Sequence, residues 1–362
     1  MTGSLSRRTG IAHLPLHGGK APAWLFSRMT RLAREITVAI VSDFGPREML
    51  IRLSDPYWFQ ALGCVLGFDW HSSGVTTTVC GAVKEGIRGM ENDLGLFVAG
   101  GKGGTSRKTP SEIEKVGHLI KVDAGKLIYA SKLVAKVDNN AVQDGYQLYH
   151  HVFCFTGDGS WAVIQQGMNE ENLYARRYHW LGENVADFVC EPHAAICTEA
   201  PAATLNLVAA ESSDARDTMA GIARDEKPDK IMAQLKKLQS LELPRRHEIQ
   251  IKDIHPDRLY KIFIQTYEKQ PEDFETLLGA AGVGAKTLRA LSLIAEIIYG
   301  VPSSFRDPAR FSFAHGGKDG IPYPVDKPTY DKSIQILHNA LERAKIEDKE
   351  KVAALRRLQH WI

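Results

Sequence analysis

Two helical stretches joined by Gly282, Val283 and Gly284 constrain the fold of this chain more than any other feature. Apolar residues at helical spacing end one helix before the glycines and begin another after them; they are Phe274, Leu277 and Leu278, then Leu288, Leu291, Ile294, Ala295 and Ile298. Glycines permit a tight turn whose N–H groups approach a ligand closely, and the positive end of the second helix points the same way. The pattern predicts an anion site that a nucleic-acid phosphate would fit.

The residues of this turn, GVGAKT, resemble the helix-hairpin-helix of DNA glycosylases and lyases of the endonuclease III type. In that family the lysine of GVG-x-KT is the lyase nucleophile, and Lys286 stands at its position. A valine-aspartate pair follows the hairpin in those glycosylases, whereas here Val325-Asp326 lies further along the chain. Asp331, at the start of a predicted helix, is a second candidate carboxylate. Two alternatives stay open: such hairpins also clamp DNA without catalysis, and Asp331 is also suited to cap its helix.

Charge and cysteine usage bound the function classes. Lysine and arginine number 45 against 43 acidic residues, so no global positive field attracts nucleic acid and any such binding must come from local patches. Five cysteines without paired C-x-x-C spacing indicate reduced thiols in a cytoplasmic protein. No apolar run is long enough to span a bilayer, so we expect no membrane partner.

Two stretches in the N-terminal half carry groups that suit nucleic acid. An aromatic segment ends in Asp69-Trp70-His71, and Trp70 is placed to stack on a base or, alternatively, to pack in the core. The apolar run 96–99 leads into a glycine-rich loop with Lys102, Arg107 and Lys108. Unhindered N–H groups beside cations can cradle a phosphate, although the loop also fits a flexible basic linker.

The central region gives the strongest strand signal. Residues 147–155 and 161–166 alternate β-branched and aromatic side chains around the turn 156–159, which predicts a β-hairpin. His150 and His151 are consecutive on one strand, so at most one points into a given site. With Asp138, Asp144 and Asp158 they are candidate ligands for a divalent metal in phosphodiester hydrolysis. Turn aspartates also serve turn geometry alone.

Further basic residues follow the hairpin. Arg176 and Arg177 precede Trp180 in a basic-aromatic cluster that suits backbone contact and base stacking. The alternative is an exposed helix end that packs its aromatic residues inward. Beyond the helical hairpin, Lys318 lies in an irregular glycine-rich loop. Two interpretations stay open: the loop reaches a substrate held by the hairpin, or it closes the domain.

These patterns predict an α+β, mainly helical fold. We expect a mainly helical N-terminal domain over residues 8–135, a central region with a small antiparallel sheet over 136–215, and a helical C-terminal domain over 228–362. The whole chain also resembles the prokaryotic family of domain of unknown function 763. The stretches that carry this resemblance include RTGIAHLPLHGGKAPAWLF, LYHHVFCFTGDGSWAVIQQGMN, ARRYHWL and HGGKDGIPYPV. That resemblance implies a shared full-length architecture and a cytoplasmic setting, but no activity.

The residues favour a DNA-binding enzyme of DNA repair, a glycosylase or abasic-site lyase that requires no cofactor. In this hypothesis Gly282 and Gly284 hold the strand, Lys286 attacks the sugar C1′, and Asp326 or Asp331 stabilises the positive sugar. One alternative is a metal-dependent nuclease built on the central hairpin. The other is a non-catalytic DNA-binding scaffold.

Overall fold

The computed structural model describes residues 21–68, 73–198, 203–241, 256–309 and 327–361. Within these ranges the fold is α+β and mainly helical, with a five-stranded antiparallel sheet and a separate two-stranded one. The predicted fold class is therefore confirmed.

The larger sheet has the strand order β1-β3-β4-β5-β6. Its strands are β1 (Leu96–Lys102), β3 (Gln147–Thr156), β4 (Trp161–Asn169), β5 (Tyr174–Leu181) and β6 (Ala195–Cys197); β2 (Val142–Gln143) and β7 (Leu205–Asn206) form the smaller sheet. The predicted hairpin corresponds to β3 and β4, which pair antiparallel with a register shift between Leu148 and His150.

Helices cover both faces of the larger sheet. They are α1 (Ala23–Phe44), α2 (Pro46–Ser54), α3 (Pro56–Leu66), α4 (Gly74–Gly86), α5 (Glu91–Leu94), α6 (Thr109–Lys115), α7 (Ala124–Lys136), α8 (Ser213–Asp225), α9 (Pro228–Gln239), α10 (Pro256–Lys269), α11 (Phe274–Gly279), α12 (Ala285–Tyr299), α13 (Lys327–Arg343) and α14 (Asp348–Trp361). Alternate residues of β3 separate the two cores: Val152 and Cys154 join the core of α1–α4, α13 and α14, whereas Phe153 and Phe155 join that of α6–α12.

This layering links the three predicted segments. Strand β1 of the first segment pairs with β3 of the second. Helices α13 and α14 of the third segment pack against α1 and α3 of the first. The predicted domain limits stay predictions.

The helical hairpin is present as α11 and α12, joined by residues 280–284. Gly282 has a φ of +82°, a left-handed conformation that glycine adopts without steric penalty. Gly284 precedes the first residue of α12. The tight turn predicted from the glycine spacing is thus observed.

Two elements differ from what the sequence predicts. The residue pattern of 111–137 predicts one continuous helix, whereas the structure has the two helices α6 and α7, because Asp123 caps a new helix by accepting from Gly125 N at 2.8 Å. Residues 176–180 lie in β5 and not at a helix end. None of the helices in the described ranges combines the length and apolarity that crossing a bilayer requires.

Candidate functional site

A pocket of about 420 Å³ lies where α7, the strands β3 and β4, the turn after β1 and the end of α11 meet. This volume is within the range of ligand sites, roughly 300–1,000 Å³. The pocket is lined by Ser106, Arg107, Thr109, Pro110, Tyr129, Ser131, Lys132, Leu133, Ala135, Lys136, Leu148, Tyr149, His150, His151, Gln165 and Gly279.

A chain of hydrogen bonds fixes the tautomer of His151 on this wall. Asp138 Oδ2 accepts from Gln165 Nε2, so the Gln165 amide oxygen points to the histidine. That oxygen lies 2.7 Å from His151 Nδ1, which must therefore carry the ring proton. His151 Nε2 is left as an acceptor, 2.9 Å from Ser131 Oγ on α7. Ser131 therefore donates its hydroxyl proton toward the histidine.

This series of hydrogen bonds ends at the buried carboxylate of Asp138. Besides Gln165, it accepts from Trp180 Nε1 at 2.9 Å and lies 2.5 Å from His193 Nε2. Burial lowers the pKa of His151, although its bond to Gln165 and the charge of Asp138 act in the opposite direction. The result is a neutral imidazole at neutral pH, which can accept a proton.

His150 has a different environment. It lies opposite Gln166 in the ladder while His151 lies opposite Gln165, so the two side chains leave the strand on opposite faces, as expected. Both residues nevertheless contribute to the pocket lining. His150 is buried with no hydrogen-bond partner on either ring nitrogen. Burial, with smaller effects of His151 and Lys102, lowers its pKa to about 3.

Several cations line the pocket or lie close to it in the chain. Arg107 and Lys108 are exposed on the short helical turn Gly103–Lys108 that follows β1. Lys102, at the end of β1, lies 5.7 Å from the centre of the Tyr149 ring. Lys132 is exposed on α7 and lines the pocket with Arg107. The basic loop predicted to contact phosphate is therefore part of the same site as His151.

Lys136 connects the pocket to the helical hairpin. Its Nζ donates to the carbonyl oxygens of Leu278 at 2.7 Å, Gly279 at 3.1 Å and Ala280 at 2.6 Å. These carbonyls are at the C-terminal end of α11, where a cation is favoured by the helix dipole. Burial lowers the pKa of Lys136. The ammonium thus fixes the end of α11 against the pocket wall.

The hairpin turn itself lies beside the pocket. Gly282 is exposed and Gly284 is partly exposed, and a Cβ added to Gly284 would meet Asn140 Oδ1 as its nearest atom, at 4.0 Å. Lys286 is exposed on the first turn of α12 and does not line the pocket. Gln143 accepts from Arg289 Nε at 2.7 Å and donates to Ala285 O at 2.9 Å, which holds this turn in place.

Three residues predicted to contact nucleic acid lie in the core. Arg176, Arg177 and Trp180 are fully buried on β5. Arg176 forms ion pairs with Asp144 at 2.9 Å and Asp307 at 2.7 Å. In this structure none of the three presents its side chain to a ligand at the surface.

The candidate metal ligands are held apart. Asp144 accepts from Arg176 and from Tyr178 Oη at 2.6 Å, and Asp158 is in the β3–β4 turn, where it accepts from Thr156 and Ser160. In the described parts of the chain, no three histidine, cysteine or acidic side chains form a group that fits a metal ion. The donor set expected for a metal-dependent nuclease is therefore not assembled from these residues.

The remaining predicted site residues are distant or undescribed. Trp70, Lys318 and Asp326 are outside the described residues. Asp331 is exposed in α13, which begins earlier than expected, at Lys327. Because α13 packs on the opposite face of the sheet from α12, the structure does not bring Asp331 to Lys286.

Sequence reasoning missed Ser131, Gln165 and Lys136. Ser131 shares the buried face of α7 with Leu127 and Val134, and a polar residue on an apolar helix face was the available signal. Gln165 is likewise a polar residue at a buried position of β4, next to the buried Gln166. Lys136 had no such signal, because its carbonyl partners are far away in sequence.

Comparison with protein families gives one match. A family model described as "Protein of unknown function (DUF763)" matches residues 10–325. No curated protein and no solved structure matches the chain.

Proposed function

The chain belongs to the DUF763 family, and from the geometry of its pocket we propose that it is a DNA-binding enzyme of DNA repair that acts on a single nucleotide. The observation that supports this proposal is that three parts of the structure line one pocket. The basic loop with Arg107, the strand with His151 and the end of the first hairpin helix at Gly279 all line the same pocket.

In this proposal the hairpin binds the DNA backbone. The N–H groups at Gly282 and Gly284 and the positive end of α12 favour a phosphate, and the exposed Lys286 adds a cation beside them. Arg107, which lines the pocket, and the neighbouring Lys108 offer further exposed cations. Since the formal net charge is only +2, the attraction for DNA has to come from these local cations and N–H groups.

The pocket receives the nucleotide. Enzymes that modify a base in a duplex extrude the nucleotide into a pocket, where aromatic or apolar side chains pack against it. Here Tyr129, Tyr149 and Leu148 supply such surfaces, and His151 supplies a proton acceptor. All five cysteines lie in the described part of the chain and none of them forms a disulfide there, which supports a cytoplasmic setting.

The first test is DNA binding. Gel-shift titrations at low ionic strength with duplex, single-stranded, uracil-containing, oxidised and abasic probes are expected to show retardation by the full chain. Gly282→Ala and Gly284→Ala are expected to weaken it, since the first places a Cβ on a left-handed residue and each adds a methyl group where a phosphate would approach the N–H groups of the turn. Gly221→Ala is the matched control, because a Cβ added there would have no atom within 4 Å. Absence of retardation, or equal effects of all three variants, overturns the proposal.

The second test identifies the reaction. The same probes are incubated with and without chelator and with borohydride. A borohydride-trapped adduct that disappears in Lys286→Ala identifies a lyase with Lys286 as nucleophile. Cleavage that chelator abolishes identifies a metal-dependent nuclease. Binding without any product identifies a scaffold and overturns the enzymatic part of the proposal.

A further inference from the structure

Ser131 has an unusual hydrogen bond for a serine within a helix. Helical serines commonly bond to a carbonyl of the preceding turn. The Ser131 hydroxyl instead lies 2.9 Å from His151 Nε2, the ring nitrogen that carries no proton. Its side chain lines the pocket, so a bound ligand would lie next to this hydroxyl.

The same arrangement activates serine nucleophiles in enzymes. A histidine takes the hydroxyl proton, and a third group holds the imidazole in the required tautomer. Gln165 holds the ring from the other side at 2.7 Å, and Asp138 in turn orients the Gln165 amide. This network selects the tautomer of His151 that accepts from Ser131.

We infer that Ser131 is a nucleophile and His151 its general base, in a site that takes a phosphate ester. The assignment of the substrate class rests on the proposed function, because a nucleotide brings phosphate groups to the pocket. Arg107 and Lys132, both exposed at the pocket, offer positive charge to the non-bridging phosphate oxygens.

The reaction proceeds in two balanced steps. The Ser131 Oγ–phosphorus bond forms while the phosphorus–oxygen bond of the ester breaks, and the Ser131 proton passes through His151 to the leaving alkoxide. Water then attacks the phosphoserine and gives its proton to His151. The Oγ–phosphorus bond breaks, and Ser131 regains the proton from His151. Water is the only other reactant.

The serine's reactivity is tested without DNA. The full-length protein is incubated with diisopropyl fluorophosphate, a phosphorus electrophile with a fluoride leaving group, and adducts are mapped by peptide mass spectrometry. We expect one adduct at Ser131, which inorganic phosphate slows and Ser131→Ala abolishes. Ser292→Ala is the matched control, because Ser292 is also a buried helical serine but its hydroxyl pairs with Ser303 Oγ at 2.8 Å rather than with a histidine.

A second set of variants separates catalysis from structure. His151→Ala is expected to slow labelling about 100- to 10,000-fold, the usual contribution of a general base. Added imidazole should restore part of the rate, which it would not do for a histidine that only packs. An unlabelled Ser131 in folded protein, labelling that phosphate leaves unchanged, or full-rate labelling of His151→Ala overturns the inference. If His151→Ala does not fold, the inference is tested by labelling of the wild type and of Ser131→Ala and by the effect of phosphate on the labelling rate.

The two proposals fail separately. A protein that labels at Ser131 but retards no DNA retains the serine nucleophile and loses the DNA function. A protein that binds DNA but does not label at Ser131 retains the DNA function and loses the nucleophile.

Discussion

Replacing Lys136 with methionine removes the link between the pocket and the helical hairpin. Methionine keeps the length and the apolar stem of the side chain but loses all three donors. The carbonyls of Leu278, Gly279 and Ala280 are left without the ammonium at 2.7, 3.1 and 2.6 Å. Helix α11 then ends without the cation at its negative end.

The expected magnitude follows from the exposure of these bonds. The bonds to Leu278 and Ala280 are partly buried, whereas the bond to Gly279 is exposed, so water replaces only that one readily. A shielded carbonyl left without a donor costs about 1–3 kcal/mol. Burial lowers the pKa of Lys136, so removing the ammonium also removes a desolvation penalty. We expect the free energy of local opening to fall by roughly 2–4 kcal/mol.

Hydrogen–deuterium exchange measures this change directly. A loss of roughly 2–4 kcal/mol corresponds to amide exchange about 30- to 1,000-fold faster in α11 and the hairpin turn. Lys132→Met is the matched control, because Lys132 is an exposed lysine one turn earlier on α7 that lines the same pocket. Unchanged exchange in Lys136→Met, or equal acceleration in the control, would refute the assigned role of Lys136.

Two further predictions concern the strands beside the pocket. Gly100→Ala places a Cβ 2.3 Å from the carbonyl oxygen of His151, and Gly100 has a φ of +92°, which side chains rarely adopt. Urea unfolding should therefore show that the free energy of unfolding falls by more than about 2 kcal/mol. Gly104→Ala is the control and should change it little, because a Cβ there would have no atom within 4 Å. The pKa of His150, about 3, is below the ordinary value of 6.5, so the unfolded chain binds the proton first and the stability contributed by neutral His150 is lost as the pH falls from 6.5 toward 3. Between pH 7 and pH 5, urea unfolding should therefore show a loss of stability that is about 2 kcal/mol smaller for His150→Phe than for the wild type. An equal loss in the two proteins would contradict this.

The sequence predicted those parts of the fold whose periodicity is local. Strands β3 and β4 flank an aspartate-glycine turn and were found with nearly correct bounds. Strand β5 was missed, because it is buried on both faces and therefore lacks alternation. Its two arginines resemble a surface patch in sequence. Only the tertiary structure shows that Asp307, far along the chain, joins Asp144 in neutralising Arg176 inside the core.

The candidate site was predicted in pieces for the same physical reason. His151, Arg107 and the hairpin glycines were each recognisable from local chemistry, but their relation depends on residues 136–141. The π-helical turn Val137–Ala141 continues α7, and such turns redirect successive side chains. Lys136 points to the carbonyls of α11 and Asp138 to Gln165 behind His151. One short segment, residues 136–141, therefore positions both the hairpin and the histidine. Their relative placement depends on the backbone conformation of that segment, which no local sequence pattern predicts.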